Sequence, residues 1–258
     1  MLCITTATPA CASAPSDAPL PHYEKVDASL LKDPQRIIAA LQAGELDASG
    51  LSGTVYEDAR SKLDPEGQDL FIATVVMGGF YFDFDNEPWR DKRVRQALRL
   101  ATDTDATLKV AHRGLGKVGD QHHVSPAHPE YVPALVKRDI AKAKALLAEA
   151  GYPNGIDTEI AARPAPDWEL LAVQAMVEQW KEAGIRVKIN VMPSAQYWNV
   201  WTKVPFGFTT WAHRPLGTMV LSLAYRTGAA WNESAWSNAA FDKLITEAEG
   251  YLDVAKRK

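Results

Sequence analysis

Between Ile185 and Val191 the chain alternates without exception, Ile185, Val187, Ile189 and Val191 against Arg186, Lys188 and Asn190. A period of two puts the apolar side chains on one face of an extended segment and the polar ones on the other, so this is a half-buried strand. It stands in a series: Thr158 to Ala162 reads as a strand, Asp167 to Ala183 and Ser194 to Lys203 as helices, and Phe206 to Trp211 as a third strand. Strands and helices in alternation require crossover connections. An α/β layer follows, the class in which ligands sit at the carboxyl ends of strands.

Upstream, Asp33 as N-cap, Pro34 at the first helical position and Gly44 after the last periodic residue frame a short helix. A second short helix is expected across Val55 to Leu63, then an apolar strand from Leu70 to Val76 bounded by Gly78 and Gly79. Phe80, Phe82 and Phe84 alternate with Tyr81, Asp83 and Asp85, which again predicts a strand with one buried face. From Asp91 to Ala101 an amphipathic helix buries Val94, Ala97, Leu98 and Ala101 and leaves Lys92, Arg93, Arg95 and Arg99 elsewhere. Asp103 or Thr104 starts the next helix, which Gly114 ends; Asp139 caps Ile140 to Ala150, which Gly151 and Pro153 stop.

A chain of 258 residues with 47% hydrophobic and 23% charged residues can bury a core of one large or two modest domains. A net charge of -4 supplies no basic field for nucleic acid or an anionic membrane surface, so neither is an expected partner. No apolar run approaches the roughly 18 residues of a spanning helix, and direct membrane insertion is not expected. Residues 1–28, rich in Ala, Pro, Ser and Thr, read as a disordered leader or linker. Ala12, Ser13 and Ala14 resemble a cleavage region, but no basic segment precedes them, so the stretch makes a poor signal peptide. Cys3 and Cys11 lie there too, as incidental thiols or as a pair in an oxidising compartment.

Two constellations invite catalysis. His122, His123 and His128 are imidazoles within one short segment, yet their spacing matches no closed metal site and Pro126 and Pro129 mark a solvated loop. Asp83 and Asp85 fall on one face of the expected strand, without a nucleophile or base beside them. A metal-dependent hydrolase built from these residues is the alternative enzyme reading; no catalytic residue, cofactor or resident metal is otherwise expected. Aromatic residues gather late in the chain. Trp198, Trp201 and Trp236 read as core, whereas Trp211 ends a strand and leads into Ala212, His213, Arg214 and Pro215, a turn whose side chains face a cleft.

Two passages, DKRVRQALRLAT from Asp91 and DIAKAKALLAEAGYPNG from Asp139, resemble in order and spacing the extracytoplasmic solute-binding proteins of family 5, the peptide- and nickel-binding receptors of ABC importers. The resemblance implies a partial type II periplasmic-binding-protein fold, in which two α/β lobes close around a cleft. It implies residues 29–88 as a remnant of the terminus-bearing lobe with the hinge crossover, and residues 89–258 as the ligand-binding lobe. Family members are considerably longer, so the chain reads as truncated at both ends, and a truncated cleft would bind weakly or not at all.

The implied function is capture of a peptide or related small solute in the periplasm or outside the cytoplasm, and its delivery to permease subunits. A sensor module on the same lobe is a further alternative. FGFTTWAHRPLGTMVLSLAY resembles the passage in which an Asp three residues after the Trp pairs with a peptide's amino terminus. Here Arg214 stands at that position, which inverts the charge and favours an anionic acceptor. AAWNESAWSNAAFDKLI resembles the passage that closes the cleft lobe, and the expected ligand face is Trp211, His213, Arg214, Trp231 and Asn232.

Overall fold

The computed structural model describes residues 2–5, 33–46, 58–59, 61–62, 75–120, 122–134, 136–212 and 214–258. The chain divides into two compact units, residues 7–73 and residues 1–6 with 74–258. In the smaller unit, helix α1 (Pro34–Gln42) begins where the Asp33 carboxylate accepts the Gln35 amide at 2.9 Å, and Gly44 takes a left-handed φ of 71° beyond its end. Of the helix expected across 55–63, residues 58–59 and 61–62 are helical and the rest lies outside the described residues, as do Cys11 and Leu70 to Thr74.

The larger unit is built on a five-stranded sheet of β1 (Leu2–Thr5), β2 (Val75–Phe82), β3 (Ile156–Ala162), β4 (Ile185–Val191) and β5 (Phe206–Trp211), in the order β1-β2-β5-β3-β4. β4 and β5 flank β3 in parallel, while β2 runs antiparallel to β5 and β1 antiparallel to β2. Three sequence expectations change here. Residues 2–5, read as part of a leader, form the strand beside β2. The two strands expected on either side of Gly78 and Gly79 are one, because a Cβ on Gly78 would come within 2.6 Å of the Trp168 ring; glycine is there for packing rather than for a turn. Asp83 and Asp85 lie beyond the strand end, in a turn where the Asp83 carboxylate accepts the Asp85 amide at 3.0 Å, so they form no same-face pair.

Helices α2 (Lys92–Ala101), α3 (Thr104–His112), α4 (Ile140–Glu149) and α5 (Asp167–Lys181) build the main core with the sheet. Asp91, Asp103 and Asp139 cap the first three by accepting amides of the first turn. The apolar stripe Val94, Ala97, Leu98 and Ala101 is fully buried, each large aliphatic side chain contributing about 1.5–3 kcal/mol. Aromatic rings fill the centre: Phe82 stacks on Phe206 at 5.2 Å and on Trp89 at 4.5 Å, and Phe80 meets Trp180 edge-on at 5.4 Å. Trp180 Nε1 donates to Thr102 Oγ1 at 2.8 Å, which satisfies its polar end.

The other side of β5 carries Gly207, Thr209 and Trp211. A Cβ on Gly207 would stand 2.3 Å from the Tyr81 hydroxyl opposite it, so only glycine admits that ring. Tyr81 and Tyr197 hydroxyls meet at 3.3 Å, Tyr197 donates to the Phe208 carbonyl at 2.6 Å, and Tyr81 donates to the Trp201 carbonyl. Helices α6 (Ser194–Val200), α7 (Gly217–Tyr225), α8 (Ala239–Glu249) and α9 (Val254–Arg257) complete the chain. Val220 and Ala224 of α7 pack with Trp211 in a second apolar cluster.

Candidate functional site

A cavity of about 280 Å³ lies along β2, with two residues from the carboxyl-terminal half of β5 in its wall. Thr209 and Trp211 come from β5, and the antiparallel register sets Gly79 of β2 opposite Thr209, which brings Gly79, Phe80, Tyr81 and Phe82 into the wall. Lys92, Arg95, Gln96 and Arg99 line it from α2, spaced so that they share one stripe of that helix opposite to its buried one. Ala224 and Tyr225 of α7, and the loop residues His123, Glu233 and Ser234, close it.

The charges are sorted within this wall. Arg95 spreads its guanidinium over the Phe84 ring at 3.9 Å and donates to the Trp89 and Arg90 carbonyls. Burial lowers the pKa of Arg95 and of Arg99 from the usual guanidinium value, and both stay cationic. Glu233 is buried, and desolvation pushes its pKa to about 8 against the pull of the Trp211 indole N–H and the Thr209 hydroxyl beside it. His123 is buried as well and held neutral, its pKa lowered to about 3, with Nδ1 2.7 Å from the Tyr225 hydroxyl.

Among the described residues four polar atoms on this wall fall short of hydrogen-bond geometry: His123 Nε2, Thr209 Oγ1, Trp211 Nε1 and Glu233 Oε1, the last three neighbours of one another. Buried polar groups are nearly always paired, and their concentration in one wall makes this cavity the candidate site.

The five residues expected on a ligand face are placed as follows. Trp211 is buried and lines the cavity. Trp231 is 45% exposed beside it, with ring centroids 5.7 Å from Trp211 and 6.2 Å from Trp201 in edge-on contact. Arg214 lies with its guanidinium 6.0 Å from the Trp231 ring and donates to the Ala212 carbonyl. Asn232 turns inward: its amide donates to the Arg226 and Trp236 carbonyls and its oxygen accepts from Ser234, so it knits the loop that carries Glu233. His213 lies outside the described residues. Trp198, expected in the core, is 40% exposed, because it serves as a platform for Arg163 at 4.4 Å.

The histidine loop is also corrected. It is not solvated: His123 and His128 are buried. His128 Nδ1 accepts the Ser125 amide at 2.8 Å and its Nε2 meets the Arg214 carbonyl at 3.0 Å, so the ring ties this loop to the turn after β5. Among the described residues no three His, Cys, Asp or Glu side chains are placed to hold one metal ion.

Sequence reasoning placed Lys92, Arg95 and Arg99 off the buried face of their helix without assigning them a role, and it passed over Gln96, Tyr81, Thr209 and Glu233 as site residues. The stripe spacing was visible; that the stripe faces a cavity is set by the distant strands β2 and β5.

Residues 16–232 match the bacterial extracellular solute-binding proteins, family 5, middle region. The chain belongs to this family. Family 5 relatives include heme-binding protein A of Haemophilus influenzae, 28% identical over 89% of this chain and 44% of that protein. A glutathione-binding protein of Pectobacterium atrosepticum is 27% identical over 93% of this chain and 49% of its own length. The solute-binding protein MoaA of A. tumefacien R10, solved with mannopinic acid, superposes with a TM-score of 0.71 at 24% identity, over 88% of this chain and 48% of that one. The fold is that of the type II periplasmic binding proteins, and the chain spans about half the length of the curated relatives it matches.

Proposed function

We propose that this chain supplies a ligand-binding lobe to an extracytoplasmic receptor of an ABC importer, which captures a small organic solute and hands it to permease subunits without changing it. The cavity along β2, with Thr209 and Trp211 of β5 in its wall, in a chain of family 5, carries this reading. Relatives named for heme, glutathione and dipeptides support an organic solute of peptide size. Trp211 and Trp231 offer rings for stacking at the cavity and its rim, and Arg214 lies beside the outer ring. Asn232 acts through the loop it holds. Closure of a partner surface over such a lobe follows the population-shift logic of binding proteins, in which the loaded form is the one stabilised.

The hydrolase alternative lacks a ligand set. His128 has one ring nitrogen engaged within its loop and the other at the Arg214 carbonyl, Asp83 is bound to its own turn, and no described trio converges on an ion.

A thermal-shift screen against dipeptides, tripeptides, glutathione and opine-type conjugates tests the reading, since a ligand that binds only the folded state raises its melting temperature by mass action. A saturable shift is expected for at least one class, and Trp231→Ala should weaken that binding about 10-fold. Turnover of the bound compound, or the absence of any shift across the panel, would contradict it.

A further inference from the structure

The geometry points to an acidic ligand: the cavity takes a compact molecule with an apolar or aromatic body and an anionic oxygen group, held between the α2 cations Lys92, Arg95 and Arg99 and the donors Thr209 and Trp211. This rests on the receptor reading and names the class of solute.

Charge decides the sign. Lys92, Arg95 and Arg99 line one space, and an anionic acceptor is the occupant that matches them. Trp211 Nε1 can only donate and the Thr209 hydroxyl can donate; both stand beside the Glu233 carboxyl. Among the described residues Glu233 is the one acidic side chain in that wall. Burial keeps it protonated near neutrality, so it presents a further donor rather than a negative charge.

The apolar part of the ligand meets Phe80, Phe82, Phe84 and Tyr225, and a volume of about 280 Å³ lies just below the roughly 300 Å³ lower end of small-molecule sites. A basic wall without the buried acid would bind anions regardless of pH; this one is expected to release them as Glu233 ionises. The groups that face Glu233 are Trp211 and Thr209 of β5, Tyr225 of α7, and Tyr81 and Tyr197 across the sheet, with His123 and the α2 cations elsewhere in the wall. None of these aromatic or imidazole groups changes charge close to Glu233's own range: His123 titrates near 3 and the three tyrosines are raised.

The test uses probes of one shape and three charges on the whole chain: N-acetylphenylalanine, N-acetylphenylalaninamide and phenylalaninamide, with phenyl phosphate to separate carboxylate from phosphate recognition. Titrations are followed by tryptophan fluorescence and calorimetry. An anionic probe should bind at least about 10-fold more tightly than the cationic one. Lys92→Gln, at an exposed position, should weaken the anion about 3- to 10-fold and leave the neutral probe unmoved; Arg99→Gln should do the same.

Raising the pH from about 7 to about 9 should weaken anion binding, and Glu233→Gln should remove that loss. Melting curves show that each variant is folded. A preference for the cationic or neutral probe overturns the acidic-ligand assignment and leaves the receptor reading standing. Anion binding indifferent to Lys92→Gln and Arg99→Gln overturns the role of α2, and failure of every probe to bind folded protein overturns the site itself.

Discussion

Glu233 and Glu169 are both buried carboxyls, and their surroundings give them opposite roles. Glu169 is clamped by the Arg163 guanidinium and by the Thr210 hydroxyl, with Arg163 in turn lying on the Trp198 ring. Desolvation raises the Glu169 pKa even so, although Arg163 and Thr210 oppose it. Removing one partner of such a pair leaves an uncompensated buried charge, so Arg163→Ala should destabilise by about 3–5 kcal/mol, whereas an apolar replacement of both should lose much less. Urea denaturation of the two single variants and the double variant measures the coupling.

Among the described residues no cation bonds to Glu233. Its folded pKa of about 8 lies above the unfolded value of 4.5, so its contribution to stability is complete below about 4.5 and lost as pH rises through about 8. Stability of Glu233→Gln relative to the parent should therefore grow by roughly 3–5 kcal/mol between about pH 4.5 and about pH 9, an upper bound that relaxation of the buried carboxyl reduces. A flat difference across that range would show that the carboxyl is solvated in the folded protein.

Among the elements, α7 shows where local sequence stops being informative. GTMVLSLAY carries no side-chain N-cap, and nothing in its own composition marks its start. The cap comes from 87 residues away: the Glu130 carboxylate accepts the Gly217 amide at 2.9 Å and pairs with Arg257 of α9 at 2.8 Å. Burial alone would raise the Glu130 pKa, but the Gly217 amide and Arg257 outweigh it and hold it below the usual carboxylate range. Glu130→Ala should cost about 3 kcal/mol and loosen the helix that brings Tyr225 to the cavity, which hydrogen exchange of α7 amides would report.

By contrast, α2, α4 and β4 were legible because each carries its own period and end signals: Asp91 and Asp139 cap, Gly151 stops, and Ile185 to Val191 alternates. Gly155 belongs with these. It closes the turn into β3 at a φ of 83°, and a Cβ there would fall 1.9 Å from the Gly184 carbonyl oxygen at the start of β4. Gly155→Ala thus combines left-handed strain with a backbone clash and should lower stability by about 2 kcal/mol or more, against a few tenths for Gly44→Ala, beyond the strain of its φ, where a Cβ meets nothing. The cavity was half legible: Trp211 and Tyr225 belong to the late aromatic crowd and Phe80, Phe82 and Phe84 to an alternating pattern, whereas Tyr81, Thr209 and Glu233 acquire meaning only through the β2–β5 register and the Asn232 loop.

At the scale of the molecule, the sheet places the cavity on its antiparallel half, where β2 has β5 on one side and β1 on the other. The sequence of β2 is VVMGGFYF, apolar throughout and without a charge or proline. Such a strand left at an open edge is a template for pairing with another chain, and β1 covers that edge along the register Leu2 to Gly78 through Thr5 to Val75. The larger unit holds its own core between residues 74 and 258, so a chain trimmed to that range should still unfold in one cooperative transition. It should also self-associate far more than the parent, because the trimming removes β1 and opens the β2 edge. Light scattering on the two forms at equal concentration checks this, and placing charges in β2 at Val75 or Met77 should restore solubility to the trimmed form alone. Equal scattering by parent and trimmed chains would mean that β1 contributes nothing to protecting the edge, and that the antiparallel half of the sheet is closed by other means.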